Sequence, residues 1–499
     1  MQIRSFSFTP YALLSMLLLA FLSAQNPDTL WTRVFGGASQ DYGNSVQTCP
    51  DGGYVVCGST SSLGAGGWDI CLIRTDSLGD TLWIRTYGGP ENDCGSDVRV
   101  THDRGYVIGG YTNSFGAGRN DMYIVRVDSL GDTLWTKTFG GPSDDEGYSI
   151  QETPDLGYLV CGTTYSFGAG IGDVYLAKVD SLGDSLWAYA YGGASNDLGA
   201  DVTIEPDSCL MICGTTYSFG AGGGDPYLIK TDSKGDTLWT RTHGSDSDEW
   251  AYDILGSADG GFVIAGSSYF SLLGDDMFIF KADKDGNIQW NFFNGSLGDD
   301  YAYAVGEIPN RGYVICGNFS YELFVIRIDS SGNNQQQWIF GGAGTDCAND
   351  VAVNSDGSYV IVGNTTSFGQ GMTDIWLIKM ARDTLGIRET KEITAADLDL
   401  EIIPNPFRDG AVFRIQGRRL RVPSQLDGNS RFSNGTENLM LKLYDITGHL
   451  VNSFAIRNMP YAMRWPGTDQ SGRAVPAGVY FLECFQNHER CSKKVVRIK

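Results

Sequence analysis

The stretch Asp76–Trp83 reads DSLGDTLW. It returns as DSLGDTLW ending at Trp135, DSLGDSLW at Trp187 and DSKGDTLW at Trp239. Looser copies follow, DKDGNIQW at Trp290 and DSSGNNQQQW at Trp338, and a truncated PDTLW ends at Trp31. Successive tryptophans stand 52, 52, 52, 52, 51 and 48 residues apart. A fixed period of this length marks a repeat architecture, in which each unit buries its apolar face on the next.

One repeat, taken from Trp83 to Leu134, resolves into four short segments. WIRTYGG alternates in character and reads as a strand. SDVRVT is a second strand, YVIGGYT a third and strongly apolar one, and DMYIVRVD a fourth. PENDCG, HDRG and the glycine-rich NSFGAGRN separate them, and DSLGD turns back to the next tryptophan. Gly79, Gly131, Gly183, Gly235, Gly286 and Gly332 occupy that turn, where a tight hairpin loop needs one residue at positive φ. Four antiparallel strands per repeat make one blade of a propeller. Seven tryptophan strands are matched by seven strands beginning at Asp69, Asp121, Asp173, Asp225, Asp276, Glu322 and Asp374. The chain opens with the first kind and closes with the second. Thr29–Phe35 is therefore expected to supply the outer strand of the last blade, hiding two sheet edges. The expected fold is all-β: a seven-bladed β-propeller over residues 25–380, closed by its N-terminal strand.

The apolar strand ending in glycine, as at Gly109-Gly110, followed by an aspartate and then a tryptophan, resembles a kelch blade. The aspartate–glycine–tryptophan spacing is also similar to the quinoprotein blade. Both resemblances imply the fold only. The tryptophan itself is expected to pack between neighbouring blades.

The repeat stops near Met380, and residues 381–400 are polar and charged, as a linker is. A different domain is expected over residues 401–499. Its marks are IIPNPF (Ile402 to Phe407), LKLYDITGHLV (Leu441 to Val451), RWPGTDQSGRAVPAGVYFLE (Arg464 to Glu483) and a final KKVVRIK. As a set these resemble the C-terminal sorting domains of the type IX secretion system and the related immunoglobulin-like fold of flagellar hook-capping proteins. A basic, polar insertion, Arg418 to Asn438, departs from that pattern. The resemblance implies an immunoglobulin-like β-sandwich that acts as an export address, with the secretion machinery as partner.

Residues 1–24 read as a secretory signal peptide, with Arg4, the apolar run LLSMLLLAFL and a Leu22-Ser23-Ala24 cleavage site. No later segment is long and apolar enough to be a membrane-spanning helix. The expected address is secreted or the outer cell surface. The formal net charge is -23, unevenly spread. Residues 401–499 carry 15 Lys+Arg against 8 Asp+Glu, whereas the rest carries 21 against 51. An acidic body repels phosphate backbones, which argues against nucleic acid as a partner. Of eleven cysteines, Cys57, Cys161, Cys213 and Cys316 share one repeat position with Gly109, Ala265 and Val362, a small buried slot. Cys484 and Cys491 would face each other in the last hairpin and are the disulfide candidates.

The most repeated polar feature is an acidic residue some ten positions after the tryptophan: Asp41, Asp93, Asp145, Asp197, Asp300 and Asp346, with Glu249 in the fifth repeat. The loops that carry it emerge on the same face as those carrying Asp69, Asp121, Asp173, Asp225, Asp276 and Asp374. Two circles of carboxylates could take Ca²⁺, which wants several oxygen ligands. Equally, each aspartate could cap its own turn, and a local role explains the recurrence without any ligand.

Two breaks in the symmetry stand out. The sixth repeat lacks the glycine-rich loop (GNFSYELF, Gly317 to Phe324), which leaves a notch beside Glu322. The fifth has FSLLGDD (Phe270 to Asp276) in its place, adding a carboxylate at Asp275 next to Asp276. Tyr165, Tyr217 and Tyr269 lie in neighbouring loops and suit stacking on sugar rings. Ordinary loop variation explains these breaks as well.

Enzyme signatures are poor. The four histidines, His102, His243, His449 and His488, have no metal-ligand spacing. SFGAG joins two strands and lacks the adjacent helix of a phosphate-binding loop. There is no G-x-S-x-G elbow and no adjacent cysteine pair. The expected function is non-catalytic binding of an extracellular glycan or protein. The alternatives are a polysaccharide-active enzyme using carboxylates of the acidic face, and a structural surface-layer protein.

Overall fold

A computed structural model of the chain describes residues 28–382, apart from 271–273 and 297, and the strands of the C-terminal part with residues 468–469 and 473–477. The expected signal peptide, most of the linker and the 418–438 insertion lie outside the described residues. The chain divides into two compact units, Met1–Asp383 and Thr384–Lys499.

In the first unit the described residues form seven four-stranded antiparallel sheets and no helix. Sheet 1 is Asp41–Thr48, Tyr54–Thr60, Asp69–Thr75 and Thr81–Tyr87, hydrogen-bonded in that order. Sheets 2 to 6 repeat it over residues 93–139, 145–191, 197–242, 249–294 and 300–340. Sheet 7 takes three strands from 346–380, and its fourth is Thr29–Phe35, antiparallel to Asp374–Met380. The ring closes through side chains too: Asp350 accepts from the Val46 amide at 2.8 Å, and Asn349 donates to the Gly43 carbonyl at 2.8 Å. This is the arrangement of a β-propeller.

Burial explains the strand chemistry. The second and third strands of sheet 1, YVVCGST and DICLIRT, are buried throughout. They lie between two neighbouring sheets, so both faces of the strand must be apolar or paired. Each fully buried valine, leucine or isoleucine there is stabilised by roughly 1.5–3 kcal/mol relative to exposure. The fourth strand, TLWIRTY, is half exposed because it forms the rim.

The repeated DSLGD turn serves two purposes. Asp76 accepts from the Leu78 and Asp80 amides at 2.9 Å each, and Gly79 adopts φ 79°. A Cβ on Gly79 would stand 2.7 Å from the Trp31 ring, and one on Gly131 3.1 Å from the Trp83 ring. The tryptophan of one rim strand therefore packs on the turn of the next sheet. Tryptophan and glycine recur together because each fills the space the other leaves.

The described residues of the second unit form two antiparallel sheets. One orders Leu398–Ile403, Ala411–Gly417 and Tyr461–Trp465; the other orders Leu450–Ile456, Leu439–Asp445, Gly478–Gln486 and Glu489–Arg497. Its first strand begins ahead of Glu401, where the composition changes. Cys484 and Cys491 are direct register partners in the last hairpin, but their side chains lie outside the described residues.

Candidate functional site: an aromatic and acidic loop face

The loops joining second to third strands, and those joining each sheet to the next, share one face. Each first strand opens there with its acidic residue. Asp41 Oδ2 accepts from the Gly37 amide at 2.8 Å and the Ser62 hydroxyl at 2.7 Å, while Thr60 donates to Oδ1. Asp93, Asp145 and Asp197 repeat this, each accepting at 2.7 Å from a glycine amide and a serine hydroxyl. Asp346 accepts from Gly342 at 2.9 Å and Ser367 at 2.6 Å; Asp300 accepts from the Ser296 amide and, at 2.7 Å, from that of Ser320. These residues tie two loops together and are buried. Among the described residues no three His, Cys, Asp or Glu side chains gather to hold a metal ion. Asp41, Asp93, Asp145, Asp197, Asp300 and Asp346, the residues for which Ca²⁺ is the expected ligand, accept from hydroxyl and amide donors of the loops, the turn-capping role that is the other reading of their recurrence; Asp346 Oδ1 alone of their oxygens is buried with no hydrogen-bond partner among the described residues.

The second circle meets the first. Where one sheet passes to the next, a single glycine seats two carboxylates, one from each sheet. A Cβ on Gly192 would lie 2.0 Å from Asp173 Oδ1 and 2.6 Å from Asp197 Oδ2. Gly244 likewise sits between Asp225 and Glu249, and Gly341 between Glu322 and Asp346. Burial, then the neighbouring carboxylate, push the Glu322 carboxyl up to about 7. Burial is also the main cause that raises Asp173, Asp225 and Asp276.

The symmetry breaks at sheets 5 and 6. Phe319 and Glu322 are joined by a two-residue turn, Ser320-Tyr321, with φ of 51° and 69°, and this is the notch. Beside it the first strands of sheets 5 and 6 alternate between buried acidic and small residues and half-buried aromatics. Tyr301 and Tyr303 stack at 5.5 Å with 15° between planes, and Tyr252 meets Tyr303 at 5.4 Å. Tyr301 donates its hydroxyl to Asp275 Oδ2 at 2.8 Å. Asp275 Oδ1 is buried with no hydrogen-bond partner among the described residues. Burial and the charges of Asp299 and Asp248 raise the Asp275 carboxyl, against the Tyr301 bond, which lowers it.

The predicted site residues separate into three places. Asp275 joins the tyrosine cluster, and Tyr217 flanks it by accepting from Trp250 Nε1 at 3.2 Å. Tyr269, 42% exposed, is the penultimate residue of the second strand of sheet 5 rather than lying in a loop. Asp276 turns away to the junction with Asp300, because neighbours in a strand face opposite sides. Glu322 belongs to the next junction. Tyr165 stands near Tyr148 and Glu146 instead. Asp275 and Asp276 therefore do not make a facing carboxylate pair.

Sequence reasoning missed Trp250, Tyr252, Tyr301 and Tyr303. Their alternation with Glu249, Ala251, Asp300 and Ala302 was the available signal. It also missed a ring of acids further along the same strands. Asp97, Asp201, Asp253 and Asp350 come from four sheets yet interact with one another and with Arg99, which places them around the common axis. A cleft of about 610 Å³ lies at the other end of the first strands, where Glu152 accepts from the His102 amide at 2.9 Å.

No family model matches the chain. It is 26% identical over 195 residues to the regulatory protein FlaEY of Caulobacter vibrioides, a match covering 34% of this chain and a fifth (20%) of that protein. Similar solved structures include PorZ, an essential surface component of the type IX secretion system of Porphyromonas gingivalis (11% identity, TM-score 0.35, 96% of this chain and 76% of that one). They also include YCF48 bound to D1 peptide (11%, 0.44, 72% and 99%) and a puromycin hydrolase (12%, 0.45, 75% and 58%).

Proposed function

We propose that this chain is a seven-bladed propeller that binds an extracellular glycan or protein without catalysing its conversion. In this reading it is secreted or held at the cell surface, and an immunoglobulin-like sorting domain over residues 401–499 delivers it. One observation supports the binding role above the others: three tyrosine rings of sheets 5 and 6 gather beside a carboxylate whose buried Oδ1 has no hydrogen-bond partner among the described residues. Aromatic faces at a loop surface supply rigid contact area at low entropic cost. Asp275 and Asp276, neighbours in one strand, point to opposite sides and so do not flank one ligand position as an acid and a base must.

The test is binding to the full chain by calorimetry, with glycans and extracellular proteins as titrants, alongside a turnover assay on the same ligands. Binding without turnover, weakened in Tyr301→Ala, is the expected result. Turnover abolished in Asp275→Asn would replace this reading with an enzymatic one.

A further inference from the structure

We infer that the tyrosine cluster takes a cationic segment of a protein, presenting a lysine or arginine side chain to Tyr252, Tyr301 and Tyr303 and to Asp275. This rests on the binding role proposed above and names its ligand class.

Charge is the first argument. In the described loops of this face Arg119 is the only Lys or Arg. Burial pulls His243 below its ordinary pKa, so it is neutral at pH 7. Against these stand Asp248, Asp275 and Asp299 at the cluster itself. Further along the first strands, Asp97, Asp201, Asp253 and Asp350 face a single cation, Arg99. A mouth lined by one sign of charge concentrates ligands of the other.

Geometry is the second argument. Stacked tyrosines present negative ring faces, and a cation within about 6 Å of a ring centroid is attracted to them. This chain already uses that contact internally. Lys379 Nζ stands 5.0 Å from the Tyr54 centroid, Lys281 Nζ 5.9 Å from that of Tyr313, and the Arg241 guanidinium 5.3 Å from that of Trp239. At the cluster the rings and the carboxylate are present, and the described residues supply no cation. Asp275 Oδ1 is buried with no hydrogen-bond partner among the described residues, and a cation brought to it would make one charge-assisted bond and relieve the repulsion from Asp248 and Asp299. A neutral sugar would stack on the same rings, but it would leave that repulsion in place.

The experiment titrates the full chain with a lysine-rich decapeptide, the same peptide acetylated on every lysine, and a neutral β-glucan oligosaccharide. The free-amine peptide is expected to bind, with affinity falling as salt rises. Acetylation is expected to weaken it at least tenfold. Asp275→Asn and the exposed-loop variant Asp299→Asn should each weaken it severalfold. Asp285→Asn, on the far turn of sheet 5, should not, which separates the site from general attraction to an acidic protein. Equal affinity for the acetylated peptide, or equal loss in Asp285→Asn, overturns the inference. Binding of the oligosaccharide alone overturns it while leaving the binding role intact. Binding of neither overturns both.

Discussion

Arg74 Nε donates to the Tyr106 hydroxyl at 2.9 Å, and this bond joins sheet 1 to sheet 2. Arg74 also places Nη2 against both Asp51 oxygens, in the tight turn of its own sheet. Arg126 repeats the device with Tyr158 and Asp103, and Lys379 donates to Tyr54 at 2.6 Å to tie sheet 7 to sheet 1. A buried cation is tolerated here because a turn carboxylate neutralises it and the next sheet supplies an acceptor.

Arg126→Ala should cost about 2–4 kcal/mol, because it leaves the Tyr158 hydroxyl and the Tyr106 carbonyl without their donor in a buried place. Arg33→Ala removes the exposed pair with Asp80 and should cost under about 1 kcal/mol. Chemical denaturation of both variants checks the contrast. Equal losses would mean that the cations do not staple the sheets.

Deleting residues 28–35 should leave the Asp374–Met380 strand with a free edge. An unpaired strand edge invites pairing with another chain. The expected outcome is a lower unfolding midpoint and concentration-dependent association in sizing chromatography. A monomer of unchanged stability would show that the closing strand is dispensable.

Gly192→Ala should destabilise by roughly 2 kcal/mol or more, since its Cβ would meet two buried carboxylates and small-to-large changes in packed places carry such costs. Gly256→Ala, whose nearest neighbour is Glu205 Oε1 at 3.3 Å, should change stability little. Thermal unfolding of the two variants decides it.

The axial ring sets a pH dependence. Burial pushes the Asp97 carboxyl up to about 6 and raises Asp253 and Asp350 as well, while Arg99 opposes the rise at Asp97 and Asp350. A carboxyl raised in the folded state binds protons more tightly there than in the unfolded chain. Its contribution is therefore full below about pH 4, the unfolded value, and is lost as pH rises through the folded one. For Asp97 the loss amounts to roughly 3 kcal/mol. The turn carboxylates act oppositely: the Thr101 hydroxyl, the Gly105 amide and Arg126 outweigh desolvation and bring Asp103 down to about 2, and its contribution, full above about pH 4, is lost as pH falls through the folded value. Asp253→Asn should raise the midpoint at pH 8 and leave it nearly unchanged at pH 4. A fall at pH 8 would mean that the ionised carboxylate is held by Arg99.

Much of the fold was legible because its signals are local and repeated. Strand character, turn glycines and the seven tryptophans each lie within one repeat, and a period makes seven weak signals reinforce one another. The closing role of Thr29–Phe35 followed from the mismatch between how the chain begins and how it ends. The tyrosine cluster was half legible. Asp275 stood out as a break in the repeat and Tyr217 as a loop aromatic suited to stacking, whereas Tyr252, Tyr301 and Tyr303 sit at ordinary alternating positions of strands that looked regular.

By itself, then, the sequence determined the repeat, its strands and its closure, since these depend on spacing and on the burial demanded of each side chain. What the carboxylates do was decided only by tertiary structure. Asp41 and Asp275 carry the same group, and whether it accepts from a loop hydroxyl or keeps an oxygen without a partner among the described residues depends on atoms supplied by distant residues. Electrostatics and hydrogen bonding act over a few ångströms, and only the closed ring brings Asp97 of one sheet within reach of Asp350 of another.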